Sequence, residues 1–387
     1  MATEGNKERK VILTKPLSLN DEDEAHDNGG RYSAPNLLQR IFTLFSHVRP
    51  GSDLSNFQLP ATFNLPKSQL QGYGESIYGT KVDLIRRCNK GESPLERFIS
   101  VLSWTISTIR PCPFGVAPYN PILGETHHVS HSSLNVLLEQ VSHHPPVSAL
   151  HATDEKENVE IIWCLRPLPK FHGTLVEVHV LGKRTMKLMN HGETYEMNCP
   201  NFIFRFLPVP GTEWVGNVRI RCKETGLLAD LCYKGRSFLG FKGNRRSIKG
   251  NILDSSSSHV LYDVEGHWDR TVVIKDKNNG CVRVIYDAKE VISDLQTPTV
   301  NLENVWGTES ASVWSDVSEA LMRKDWDKAN EAKRSIENTQ RKLFKERESK
   351  GQIWRPQHFT TSHTEEGSLD CSPLHKWVPP APIITDL

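Results

Sequence analysis

The chain has 387 residues, 47 Lys and Arg against 46 Asp and Glu, a formal net charge of +1 at pH 7, and 24% charged residues. That balance lacks the global basic field on which nucleic-acid binding rests, and no apolar run approaches the roughly 18 residues needed to cross a bilayer. The opening MATEGNKERK has no apolar signal-peptide core, and the eight cysteines show neither a CxxC pair nor a regular spacing, so a cytosolic protein with reduced thiols is expected.

Length allows two or three domains, or one large β-barrel. The first segment, through about Gly30, is polar and includes Asp21-Glu22-Asp23-Glu24 and Asn28-Gly29-Gly30; disorder is expected there. From Asn36 to Val48 the apolar residues Leu37, Leu38, Ile41, Phe42, Leu44, Phe45 and Val48 fall on one stripe of a short helix, which is marginal alone and must lie on something apolar. Arg49 to Gly74, rich in Pro, Gly and Ser, reads as an irregular connection. Ser93-Pro94-Leu95-Glu96 marks a helix start, with Ser93 as cap, Pro94 in the first turn and Glu96 completing a capping box. Leu95, Phe98, Ile99, Leu102, Ile106 and Ile109 give that helix a core face, and Arg110-Pro111-Cys112-Pro113 ends it.

In Ala117-Pro118-Tyr119-Asn120-Pro121-Ile122-Leu123-Gly124-Glu125 two prolines fix a turn around Asn120, whose amide both donates and accepts. Leu134 to Val141 then reads as a strand that delivers Ser142-His143-His144-Pro145-Pro146. Proline cannot continue a ladder, so the strand ends and two imidazoles become available at a rigid rim. Metal ligation is disfavoured, because adjacent strand residues point to opposite faces and neither an HExxH pattern nor a nearby Cys/His set completes a site. The plain alternative is a pair of surface histidines.

From Glu125 to about Asp287 the chain is a succession of short strand-like runs, among them Val159 to Leu165, Thr174 to Val180, Asn201 to Phe206, Val215 to Cys222, His259 to Val264, Thr271 to Ile274 and Val282 to Tyr286. Turn signals such as Asn190-His191-Gly192 and Asn278-Asn279-Gly280 separate them without long helical patterns, which predicts antiparallel β architecture and not a βαβ array. Pattern alone leaves a ligand-enclosing barrel and a solid sandwich equally open. A helical segment follows from about Ser310 to Lys350. Between Arg323 and Lys350 it holds ten Lys/Arg and six Asp/Glu, and Lys333, Glu337 and Arg341 recur at i, i+4 and i+8 on one face. A surface ion-pair ladder is the ordinary role of such an array.

Glu139-Gln140-Val141-Ser142-His143-His144-Pro145-Pro146 resembles the signature of the oxysterol-binding-protein-related family of lipid-transfer proteins, and the Asn120 loop and the Lys333/Glu337/Arg341 array resemble two further family motifs. The resemblance covers the chain from about Asn36 to near its C-terminus and implies a lipid-binding domain alone, with no pleckstrin-homology or ankyrin domain and no two-phenylalanine acidic tract. It implies an α+β, mainly β fold: a large antiparallel barrel enclosing a lipid tunnel (116–296), preceded by a disordered N-terminus (1–35), a lid and connection (36–74) and a helical part (75–115), and followed by a C-terminal helical subdomain and tail (297–387). Leu37, Leu38, Ile41, Phe42 and Phe45 would form the lid over the tunnel mouth. His143, His144, Asn120, Lys333, Glu337 and Arg341 would hold a phosphoinositide headgroup. At Ala117 the family pattern has a lysine, so one cation near the phosphates is missing. The implied ligands are a sterol and a phosphoinositide, without cofactor or metal, and the implied partners are membrane surfaces and a receptor protein of the endoplasmic reticulum. The implied location is the cytosol, peripheral to such membranes. No GxSxG, P-loop or HExxH motif marks a lipid-modifying enzyme, although a histidine pair can act as acid and base; a sensor that binds without carrying is the other alternative.

Overall fold

The computed structural model describes residues 10–19, 35–236, 245–364 and 369–385. Helix α1 (Leu37–Phe45) is followed by a 3-10 turn at Ala61–Phe63, strand β1 (Asn64–Ser68), and helices α2 (Gln69–Tyr78), α3 (Leu84–Lys90) and α4 (Pro94–Ser107). Then come β2 (Ala117–Tyr119), β3 (Thr126–His131), β4 (Leu134–His143), β5 (Pro146–Asp154), β6 (Val159–Phe171), β7 (Leu175–Leu188), β8 (Glu193–Met197), β9 (Asn201–Arg205) and β10 (Gly211–Cys222). The sheet continues with β11 (Leu227–Lys234), β12 (Ser247–Asp254), β13 (Val260–His267), β14 (Thr271–Asp276) and β15 (Val282–Asp287), before α5 (Ala288–Ile292) and β16 (Thr299–Val300). Helices α6 (Ser310–Val313), α7 (Ser315–Met322) and α8 (Trp326–Ser349) lead to β17 (Phe359–His363), β18 (Leu369–Pro373) and β19 (Ile383–Thr385).

The fold is mainly β, as the strand succession predicts. A 15-stranded sheet runs β15-β14-β13-β12-β11-β10-β8-β7-β6-β5-β4-β3-β19-β16, with β9 paired to both β7 and β10. It curls into a barrel around α2, α3 and α4. From α4, Phe98 meets Tyr195 of β8, Trp104 meets Trp163 of β6, and the Ser103 hydroxyl donates to the Ile285 carbonyl of β15. Alternation supplies the inward faces: Ile161, Trp163 and Leu165 on β6, and Met186 and Leu188 on β7, belong to one apolar core with the helices. A buried ion pair fastens α4 to the wall, Arg97 Nε donating to Glu193 at 2.9 Å.

Several expectations need correction. Residues 10–19, expected to be disordered, are described and packed: Thr14, Pro16 and Ser18 are buried, Leu13 and Leu19 lie on the main core, and the Lys15 carbonyl accepts from the buried Lys67 ammonium at 2.9 Å. The rest of that polar segment, 1–9 and 20–34, lies outside the described residues. The connection read from Arg49 to Gly74 contains β1 and the first half of α2, because Ser68 and Gln71 form a reciprocal capping box. At α4 only half a box forms: Ser93 Oγ accepts from Glu96 N at 3.2 Å, while the Glu96 carboxylate pairs with Arg283 at 3.1 Å. Two ladders are parallel, β1 with β2 and β19 with β3, so the tail after the C-terminal helices re-enters the sheet.

Alternating strand direction places every second turn at one rim. The turns after β4 (144–145), after β6 (172–174) and after β9 (206–210), with the lead-in to β3 (120–125), all fall at that rim.

Candidate functional site

At the rim the β4–β5 turn sets the two histidines side by side. Their ring centroids are 4.6 Å apart at 65°, because His143 ends the strand while His144 already stands in the turn, so the opposite-face rule no longer applies. Ser142 Oγ donates to the Pro145 carbonyl at 2.7 Å and Gln140 Nε2 to the Ser142 carbonyl at 2.9 Å, which tie the turn to its own strand. His143 is half-buried and His144 exposed. His143 Nδ1 lies 3.0 Å from the Pro121 carbonyl. A carbonyl only accepts, so Nδ1 carries the proton and Nε2 of the neutral ring presents a lone pair. Burial lowers the pKa of His143, the neighbouring His144 lowers it further, and the Pro121 carbonyl opposes them. At neutral pH His143 therefore accepts through Nε2, and it donates there only as imidazolium.

Pro121 belongs to the loop of the exposed Asn120. The loop is braced from below by Glu125, whose buried carboxylate accepts from Ser68 Oγ, from Ser310 Oγ at 2.7 Å, from Trp314 Nε1 at 2.8 Å and from Ile122 N at 2.9 Å. Burial raises the Glu125 pKa, and these donors act against the rise. Gly124 has φ +76°, and a Cβ there would stand 2.7 Å from the Trp354 ring, which is why glycine occupies this position.

The array on α8 lies on one face, but its members differ. Lys333 is buried, and its ammonium donates to the Leu59 carbonyl at 2.5 Å and to Asn64 Oδ1 at 2.6 Å, with Glu337 at 4.0 Å. Burial lowers its pKa to about 8, against the Glu337 charge. Arg341 is exposed, donating to Asn338 Oδ1 at 2.6 Å and to Glu337 at 3.4 Å. Glu337 thus stands between the two cations.

Asn64, absent from the sequence reading, joins these parts. Its Oδ1 takes the Lys333 ammonium while its Nδ2 donates to the Ala117 and Pro118 carbonyls at 3.0 and 3.3 Å. A continuous chain of hydrogen bonds and covalent neighbours thus runs from α8 through Asn64 and the Asn120 loop to His143. Glu139 is a second residue that sequence reasoning used only as part of a motif. Its buried carboxylate accepts from Gln357 N at 2.8 Å and His358 N at 2.9 Å, holding the segment after α8 against β4. No local signal marks Asn64; its partners lie 53 and 269 residues away.

The same rim carries α1. Ile41 is buried and Leu37 and Phe45 half-buried over a separate apolar cluster of Phe63, Phe171, Val176 and Phe206. Phe45 stacks 5.0 Å from Phe171, 5.7 Å from Phe206 and 5.7 Å from Phe57. Leu38 and Phe42 are exposed, Phe42 meeting Phe206 edge-on at 5.9 Å. Of the five predicted lid residues, three face the barrel and two face out.

Among the described residues no group of three or more His, Cys, Asp or Glu could hold a metal ion, and no helix is long and apolar enough to cross a membrane. The family model for oxysterol-binding protein matches residues 43–377. The chain is 52% identical over 381 residues to oxysterol-binding protein-related protein 4B of Arabidopsis thaliana, covering 97% of this chain and 98% of that one. It is 32% identical over 333 residues to the human oxysterol-binding protein-related protein 5, covering 82% of this chain and 37% of that one. The Osh1 ORD domain in complex with cholesterol superposes with a TM-score of 0.74 at 20% identity, covering 94% of this chain and 90% of that one. The Osh3 ORD of Saccharomyces cerevisiae in complex with PI(4)P gives a TM-score of 0.68 at 21% identity, covering 93% of each.

Proposed function

The chain belongs to the oxysterol-binding protein family, and from that premise and the rim geometry we propose that it carries lipids between membranes, binding a sterol or phosphatidylinositol 4-phosphate in its barrel under α1. The observation that carries this reading is the convergence at one rim of a lid on an apolar cluster, two touching histidines and the Lys333 array, linked through Asn64. Relatives of the same fold hold cholesterol in one case and PI(4)P in another, which supports both ligands.

In this reading the sterol or the acyl chains lie inside the barrel and the phosphorylated inositol lies at the rim. Arg341 supplies a charge-assisted contact and Lys333 a second when it turns from the Leu59 carbonyl. Asn120 supplies a neutral contact. His143 Nε2 accepts from an inositol hydroxyl at neutral pH or donates to phosphate once protonated; His144 is exposed for either role. Glu337 keeps the cations apart and in place. With Ala117 where the family pattern has lysine, the phosphate relies more heavily on the α8 cations.

Burying several hundred Å² of lipid gains on the order of 10 kcal/mol against water at about 25 cal/mol per Å². Against a bilayer, equally apolar, most of that gain cancels. Near-parity suits a carrier, which has to release what it binds. Nothing in this mechanism needs a nucleophile, metal or cofactor, so we take the protein for a carrier and not an enzyme, meeting endoplasmic-reticulum or other membranes peripherally.

The test loads the protein with a fluorescent sterol and adds liposomes with or without phosphatidylinositol 4-phosphate, for wild type and His143→Ala/His144→Ala. Phosphoinositide-dependent sterol release that the double variant loses is the expected result. Sterol held with no response to the phosphoinositide reclassifies the protein as a sterol carrier or sensor, and no uptake of sterol turns the reading toward a phospholipid carrier.

A further inference from the structure

Deep in the barrel a group of polar side chains has no part in the rim site. Arg184 on β7 stands nine residues beyond Leu175, about 30 Å from the rim at ~3.3 Å per residue. It keeps 3% exposure and shares the inward face of β7 with Met186 and Leu188. Its guanidinium carbon lies 3.7 Å over the ring of Trp163, its cross-strand partner. Among the described residues no carboxylate pairs with it, and its Nε has no hydrogen-bond partner. The cation–π contact occupies one face of the guanidinium; one in-plane N–H group reaches the Cys199 sulfur, a weak acceptor, and Nε–H is left without an acceptor.

The groups around it share this condition. Trp163 Nε1, Trp104 Nε1 and Tyr233 Oη are buried without a hydrogen-bond partner among the described residues, and the two tryptophan rings are 6.4 Å apart. The Arg184 charge acts on Tyr73, Tyr233 and Cys199, which places all three about the same guanidinium. Tyr73 and Cys199 are half-buried and pack on the main core beside it. The only hydroxyl here with a partner, Tyr73 Oη, already accepts from Gln69 Nε2 at 2.9 Å. The assembly is thus donor-rich, positively charged and short of acceptors. Burying an uncompensated cation costs several kcal/mol, and an oxyanion relieves that cost because guanidinium and carboxylate or sulfate match in fork geometry.

We propose that Arg184, with Trp163, Trp104 and Tyr233, forms a receptor for an oxyanion at the leading end of a bound lipid, so that the barrel prefers amphiphiles ending in a sulfate or carboxylate over their neutral counterparts. This rests on the reading that lipid enters the barrel, and it adds a ligand class which the rim site does not distinguish.

The test displaces a fluorescent sterol from the full-length protein with cholesterol or with cholesterol sulfate, each delivered in phosphatidylcholine vesicles. For wild type, half-displacement by the sulfate is expected at about one tenth the concentration needed with cholesterol, the effect of one or two charge-assisted hydrogen bonds. In Arg184→Met, a variant of similar length, the two sterols should become equal within about twofold, while displacement by phosphatidylinositol 4-phosphate is unchanged. Equal displacement by the two sterols in wild type, a comparison that requires no variant, overturns the proposal, as does a sulfate preference that survives Arg184→Met. Uptake of neither sterol overturns the carrier reading and this proposal together; sterol uptake without sulfate preference overturns this proposal alone.

Discussion

The pH dependence of headgroup binding offers the sharpest check on the rim. Lys333 has an ordinary lysine pKa of 10.5 when exposed, and burial in the folded protein brings it to about 8. Only the ammonium attracts phosphate, so binding through Lys333 is fully available below pH 8 and is lost as the pH rises through that value. Between pH 7 and pH 9 the protonated fraction falls by about tenfold, equivalent to about 1.4 kcal/mol of binding free energy. The phosphate monoester titrates in part of this range, and Lys333→Met removes that ambiguity: it shares the ligand's titration and lacks the lysine's. Affinity for short-chain phosphatidylinositol 4-phosphate, measured by calorimetry from pH 7 to 9, should fall in wild type toward that of Lys333→Met. The stability side has its own sign. Because the folded pKa lies below the unfolded one, the charge destabilises the fold by up to about 3 kcal/mol below pH 8, and the penalty fades as the pH climbs to 10.5. Lys333→Met removes that penalty but leaves the Leu59 carbonyl and Asn64 Oδ1 without their donor, a cost of about 1–3 kcal/mol for each group. The two effects oppose each other and leave a net cost of at most about 3 kcal/mol, so the variant should remain folded while binding weakens. A wild-type to variant affinity ratio that stays constant from pH 7 to 9 refutes the assignment of Lys333 to the headgroup.

Other perturbations follow from particular contacts. Phe45→Ala removes a ring stacked on three others over the rim cluster; sterol release measured by stopped-flow fluorescence should accelerate, while the urea midpoint moves little, because α1 packs on a cluster separate from the main core. Glu193→Ala leaves the buried Arg97 guanidinium without its carboxylate, and chemical denaturation should show a loss of about 3–5 kcal/mol. Gly124→Ala puts a Cβ 2.7 Å from the Trp354 ring at φ +76°; a loss of about 1–3 kcal/mol is expected, with hydrogen exchange increased first in residues 354–358. Asn64→Ala cuts the link between α8 and the Asn120 loop, and phosphoinositide affinity should fall at least as far as in Lys333→Met while sterol uptake persists.

The legible part of the molecule was the part encoded within a few residues. The short apolar runs from Leu134 onward and the turn signals between them predict the strands, and the fourfold spacing of Lys333, Glu337 and Arg341 places them on one helix face; both patterns are local in the chain. The same logic missed α2, whose capping box at Ser68 and Gln71 was available to read but lay within a stretch dominated by Pro, Gly and Ser. It also gave Lys333 and Arg341 equal standing, although one is buried among neutral acceptors and the other is exposed. Sequence spacing fixes which residues share a face, but burial depends on what packs against that face.

By itself the sequence determined the mainly β architecture, the helix-borne charge array and the histidine pair ending a strand, because these follow from side-chain period, capping and the geometry of proline. Only the tertiary structure decided that α1, the histidines and the array meet at one rim, that Asn64 links the array to the histidine loop, that His143 holds its proton on Nδ1, and that Arg184 is buried without a carboxylate among the described residues. Each of these rests on contacts between residues far apart in the chain, from about twenty positions for His143 and Pro121 to 269 for Asn64 and Lys333, and a pattern with a period of two or 3.6 residues carries no information across such distances.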